Sequence, residues 1–224
     1  MVDITKLNQY ITEGRLIRNA WTDLDNQGRE TACLLAAMSP EVAARENASA
    51  CPASIMPKWL AYLTPWMDDA GSDEVWPSMV RRYAAVAARW HVLTNETWQR
   101  LDYTARRIAL EDCLPLAGGA APAVERVIAL LRRAEAGAAV AGRQWAAARS
   151  AARAAAWAAA GAAAEAAARA TAGAAGDSAG ASAWAAWAAA WAAEAAADRI
   201  AAAILTAIEN ACDKAEKELN NECV

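Results

Sequence analysis

The chain has 224 residues, 57% of them hydrophobic, with eleven tryptophans, no phenylalanine and a net charge of -4. One histidine and five cysteines without a CxxC pair exclude the usual zinc sites. No P-loop, GxGxxG, GxSxG or HExxH occurs, so the common nucleotide-binding, hydrolase and metalloprotease classes are excluded as well.

The charge is unevenly spread. Residues 1–80 carry 6 basic and 11 acidic groups, residues 81–153 carry 12 and 6, and residues 154–224 carry 4 and 9. Every basic residue of the middle block is arginine, whose planar fork suits phosphates and carboxylates. The first residues, MVDITKLNQYITEGR, hold no apolar h-region. The expectation is a cytoplasmic protein with free thiols.

In chain order, Thr5 is the expected N-cap of a helix reaching about Trp21, with Leu7, Tyr10, Ile11, Ile17 and Trp21 as its apolar stripe. TDLDNQGR reads as a loop, and a second helix is expected from about Arg29. Ser39 and Pro40 then cap a new one. Pro52, Pro57, Pro65 and Pro77 keep the helices of residues 47–77 short. DDAGSDE, residues 68–74, lacks the alternating ligands of a calcium loop and reads as solvated. Helices are expected from Trp76 to about His91, from Thr94 or Asn95 onward with Trp98, Leu101, Ala105 and Ile108 inward, and from Pro122.

Beyond Trp145 the texture changes. From Trp145 to Ala211, 39 of 67 residues are alanine, and no proline occurs. Alanine is the best helix former. The only break is TAGAAGDSAG, so two long helices are expected, about 143–171 and 178–219, folded as a hairpin. The longest uncharged run, Ser178–Ala193, is shorter than the roughly 20 apolar residues of a membrane span, so no membrane insertion is expected. Alanine faces let helix axes approach closely, which favours packing against other helices of the chain or a second copy. A homodimer or higher homo-oligomer is therefore expected. The fold class is all-α: a multi-helix bundle with a long alanine-rich helical hairpin at its C-terminal end. It divides into residues 1–116, a helical domain, and 117–224, the long-helix region packed with it as one body.

Three groups of residues are candidates for function. Trp145, Arg149, Arg153 and Trp157 fall four apart on one helical stripe, where tryptophan can stack a base and arginine hold phosphate. The alternative is that these tryptophans fill gaps between alanine faces. Trp184, Trp187 and Trp191 form a second stripe, continued by Glu194 and Asp198, and read as packing plus solubilising charge. The third group is the arginine block: Arg81, Arg82, Arg89, Arg100, Arg106 and Arg107, with Trp90, His91, Trp98 and Tyr103 among them. Nucleic acid is disfavoured as a partner by the acidic balance and the lack of a recognised binding motif. The ligand-binding set is Arg82, Arg89, His91, Trp98, Arg106, Arg149, Arg153 and Trp157; no catalytic residue, metal or cofactor is expected.

WQRLDYTARRIALEDCLPL, PAVERVIALLRRAEAG and WAAARSAARAAAWAAAG resemble a family of alanine-rich helical immunity proteins. This chain departs from them in having no histidine after His91. GRETACLLAAMSPEV and RYAAVAARWHVL are similar to uncharacterised phage proteins with alanine-tryptophan tails. The resemblance implies a part in bacterial conflict, as an immunity or anti-defence protein. Such a protein would sequester a host or toxin protein, or a small anionic nucleotide-like ligand. A structural protein that assembles through the alanine hairpin is the alternative reading.

Overall fold

The computed structural model describes residues 4–148, 150 and 179–222, with the side chains of 179–193 outside the description. The described chain is all-α and multi-helical, with one two-stranded sheet. Its helices are α1 (Thr5–Glu13), α2 (Leu34–Met38), α3 (Pro40–Arg45), α4 (Lys58–Asp69), α5 (Trp76–Ala87), α6 (Asn95–Cys113), α7 (Ala121–Glu135), α8 (142–148) and α9 (Ala179–Glu222). The return arm of the expected hairpin is thus present as α9. Residues 151–178, with the first arm and its turn, lie outside the description.

Two elements near the N-terminus differ from the expectation. α1 ends at Glu13 instead of running to Trp21, because Gly14 turns left-handed at φ 64°. Its N–H and that of Arg15 close back on the carbonyls of α1. The segment expected to open a helix at Arg29 is a strand. Thr22–Leu24 (β1) pairs antiparallel with Glu30–Ala32 (β2), from Thr22 opposite Ala32 to Leu24 opposite Glu30. The turn between them is built on Asp25, whose carboxylate accepts from the backbone N–H of Gln27 and Arg29. The next helix starts only at Leu34, with the Cys33 sulfur accepting from Ala36 N–H.

The chain divides into two compact units, Met1–Asp102 with Ala193–Val224, and Tyr103–Ala192. The core of the first is formed by Leu7 and Tyr10 of α1, all of α2, Leu60 and Met67 of α4, Met79, Val80 and Tyr83 of α5, and Ile200, Ile204, Leu205 and Ile208 of α9. The last four follow helical spacing and give α9 one buried stripe. Thr64, fully buried, donates to the Leu60 carbonyl (2.8 Å) and shares a 2.8 Å hydrogen bond with the Tyr83 hydroxyl. That ties α4 to α5 at their centres.

The second unit has its own organisation. Arg107 reaches Glu111 (2.6 Å) and Glu135 (2.9 Å), and Arg132 reaches Glu111 (2.7 Å), which joins the C-terminal part of α6 to α7. Tyr103 stacks on Trp145 with ring centres 6.1 Å apart. Among the described residues, no helix is long and apolar enough to cross a membrane.

Candidate functional site

The prolines that break residues 47–77 create a concavity in the first unit. Pro52 and Pro57 keep residues 53–56 out of any helix, and α4 begins directly after Pro57. Trp59 therefore sits on the first turn of α4. On the other side, α5 ends in a short 3₁₀ turn, Trp90–Val92. The chain then restarts as α6, where the Thr94 hydroxyl accepts from Thr97 N–H at 3.2 Å. That cap fixes Trp98 one turn into α6, and Asp102 one turn further on the same face.

These pieces enclose a cavity of about 620 Å³, lined chiefly by Met56, Trp59, Trp90, His91, Trp98 and Asp102, with Ser54, Asn95 and Gln99 as neutral polar groups. The volume lies within the range of small-molecule sites. Three tryptophans form its walls. Trp98 meets Trp59 at 6.2 Å and 63° between ring planes, and Trp90 at 5.9 Å and 67°. Tyr83 supports Trp90 from the core side, edge-on at 5.8 Å. Each such pair contributes about 1 kcal/mol beyond its burial. The Nε1–H donors of Trp59 and Trp90 are buried without a hydrogen-bond partner. His91 is exposed at the rim and its Nδ1 lies 3.0 Å from the Ala88 carbonyl. A carbonyl only accepts, so in that contact Nδ1 carries a proton and donates it.

Of the expected ligand-binding residues, His91 and Trp98 come together here. Arg82 and Arg89 do not line the cavity; both bind carboxylates of α9. Arg82 holds Glu209 through Nε at 2.7 Å and a second nitrogen at 2.5 Å, and Thr206 at 2.6 Å. Arg89 holds both Glu216 oxygens at 2.9 Å and also Asp213. The hydrogen bonds and charge of these acids raise both guanidinium pKa values and, in return, hold Glu209 and Glu216 below the usual carboxylate value. Arg106 is exposed on α6 in the other unit. Arg149, Arg153 and Trp157 lie outside the described residues, as do the side chains of Trp184, Trp187 and Trp191.

Trp59, Met56 and Asp102 were not among the expected site residues. Trp59 stands in a stretch whose prolines read only as helix breakers. The signal that could have found it is a tryptophan two residues after Pro57, at the expected helix start, taken with Trp90 and Trp98 flanking a helix cap.

The acidic stretch 68–74 is a correction. It is not a uniformly solvated loop: Asp68 is 1% exposed. Its Oδ2 accepts from Leu34 N–H at 2.8 Å and its Oδ1 from the Trp76 indole at 2.7 Å. Burial pushes its pKa up to about 6. Asp198 is likewise more than surface charge, since it accepts from both the backbone N–H and the hydroxyl of Ser72.

Among the described residues no group of histidine, cysteine and carboxylate side chains is placed to hold a metal. Cys33 and Cys212 are buried, and burial pushes their thiols up to about 11, so neither supplies a thiolate at neutral pH. No family model, no curated protein and no solved structure matches the chain.

Proposed function

We propose that the chain is a non-enzymatic binding protein whose tryptophan-walled cavity captures a small organic ligand. The observation that carries this reading is the joining of Trp59, Trp90 and Trp98 around one open cavity with His91 and Asp102 at its polar side. Aromatic walls with a few placed polar groups are the usual makeup of a small-molecule site. The resemblance to immunity and phage proteins supports a setting in bacterial conflict, where capture of a signal or toxin product would protect a cell or a phage.

Thermal denaturation against a library of small metabolites tests the reading. A true ligand raises the Tm of the native chain progressively, with the logarithm of its concentration once above Kd, and the rise disappears in Trp98→Leu. A rise that persists in Trp98→Leu would place binding elsewhere. The assembly reading rests on α9, a 44-residue helix. It predicts a ligand-independent oligomer by light scattering, and a monomer would remove it.

A further inference from the structure

We infer that the first unit holds a second ligand site, for a small carboxylate carried on an apolar body, in the cleft between the end of α1 and the start of α5. The cleft shares no lining residue with the tryptophan cavity, so the two sites stand or fall separately. Local structure makes it. Gly14 stops α1 and turns the chain, and Leu16 then bridges to Ala32. Trp76 and Pro77 open α5, and Val80 and Arg81 follow each of them by one turn. Ile11 and Leu16 close one side of the cleft, and Trp76, Pro77 and Val80 the other, around a space of about 210 Å³. That is below the roughly 300–1,000 Å³ of drug-sized ligand sites, so the ligand is a single ring or a short chain. The walls are apolar. Trp76 spends its indole N–H on Asp68 and brings the cleft only its ring.

Charge sets the other half of the ligand. Among the described residues of the lining, Arg81 alone is charged. It is exposed and makes no hydrogen bond or ion pair with a described residue. The cations around it in sequence and fold are committed: Lys6 to Glu30 (3.6 Å), Arg15 to Glu13 (2.7 Å), Arg18 to Asp73 and Arg82 to Glu209. Glu13, next in the chain to Gly14, is held by Arg15 and by Gln9 (2.9 Å). Arg81 is thus left with its planar fork open, a shape that binds a carboxylate through two parallel hydrogen bonds.

The inner end of the cleft adds a donor. Tyr10 lines it, is fully buried, and has a hydroxyl without a hydrogen-bond partner. Buried hydroxyls normally have one. An oxygen of a ligand seated in the cleft supplies the acceptor that this hydroxyl lacks. One guanidinium balances one negative charge, and the apolar walls favour a hydrocarbon body. A carboxylate on such a body meets both conditions; a free phosphate, with more charge and no apolar part, meets neither.

Titration of the full chain with 3-phenylpropionate and with its neutral isostere 3-phenylpropanamide tests the assignment, read at the Trp76 indole N–H signal in a nitrogen–proton correlation spectrum. The acid should move that signal in a saturable way and bind about five-fold more tightly than the amide, the reach of one exposed ion pair. Arg81→Gln should remove the preference for the acid, and Tyr10→Phe should weaken the acid several-fold, with circular dichroism confirming that each variant is folded. No saturable shift at Trp76, equal binding of acid and amide, or a preference that survives Arg81→Gln overturns the site. Shifts confined to Trp59, Trp90 and Trp98 place the acid in the tryptophan cavity, which overturns this site and leaves that one standing. An acid affinity unchanged in Tyr10→Phe overturns the part given to the hydroxyl.

Discussion

Asp68 shows how much one side chain organises in this chain. From the last turn of α4 it accepts from the first N–H of α2 and from the Trp76 indole at the start of α5. Arg18 closes the same helix end, donating to the carbonyls of Asp68 (2.8 Å), Asp69 (2.7 Å) and Gly71 and to the Asp73 carboxylate. Its guanidinium thus satisfies carbonyls that helix α4 leaves unpaired, at the end where positive charge is favoured. The cost of the buried carboxylate appears in its pKa, raised from 3.8 to about 6. In that interval the folded chain binds more protons than the unfolded one, so this group's contribution to stability falls as pH rises from about 4 to about 6. The loss is on the order of 2–3 kcal/mol. Chemical denaturation across that window should show the fall in the native chain and a flatter profile in Asp68→Asn. Parallel profiles would contradict the assignment.

Gly71 is a second point of close approach. A Cβ placed there would overlap Asp198 Oδ1, whose carboxylate is committed to Ser72. Gly71→Ala should therefore cost about 1–3 kcal/mol of stability, the usual penalty of overpacking. In Gly71→Ala/Asp198→Ala the steric part of that cost should vanish, and a cost that stayed whole would argue against the contact.

At the scale of elements, the arginines that the sequence offered for a ligand are structural. Arg82 and Arg89 stand seven residues apart on and just beyond α5, and their partners Glu209 and Glu216 stand seven apart on α9, each pair separated by 127 residues. Equal offsets mean that the two segments run parallel in register, with a charged rung every two turns. The pairs are partly exposed, so each contributes modestly and is screened by salt. A double-mutant cycle on Arg82→Ala and Glu209→Ala should give a coupling of about 1 kcal/mol that shrinks in concentrated salt; a coupling of zero would contradict the rung. Because Glu209 and Glu216 are held below the usual carboxylate value, their contribution is present at neutral pH and is lost as acid takes the pH through their depressed folded values.

What was legible in the sequence followed from local chemistry. Thr94 caps α6, Pro122 lies in the first turn of α7, and helix α9 runs through the alanine-rich stretch and on to Glu222, because alanine and the absence of proline leave helix as the favoured state. α1 is shorter than its apolar stripe predicts because Gly14, left-handed at its C-cap, ends it. β1 and β2 leave no sequence signal because three-residue strands carry too little alternation. The cavity was half legible. His91 and Trp98 stand out by their neighbours in sequence, but Trp59 is distant in the chain and joins them only through packing. The arginine partners on α9 were likewise beyond reach, since a pairing across 127 residues leaves no local signal.

At the scale of the molecule, scaffold and pocket are built from different residues. Buried apolar stripes and arginine rungs hold α9 to the N-terminal helices, while the tryptophan cavity is left open to solvent between α4, α5 and α6. The thiols should report the same division: Cys113 is exposed and should react quickly with a thiol reagent, whereas Cys33 and Cys212 should react only at the rate of opening. The central claim is that ligand binds among Trp59, Trp90 and Trp98. With eleven tryptophans, the chain offers that many indole N–H signals in a nitrogen–proton correlation spectrum, assignable by single Trp→Phe replacements. Titration with a ligand found in the thermal-denaturation screen should move the signals of Trp59, Trp90 and Trp98 in a saturable way and leave the others in place. Saturable shifts confined to other tryptophans, with these three unmoved, would contradict the account.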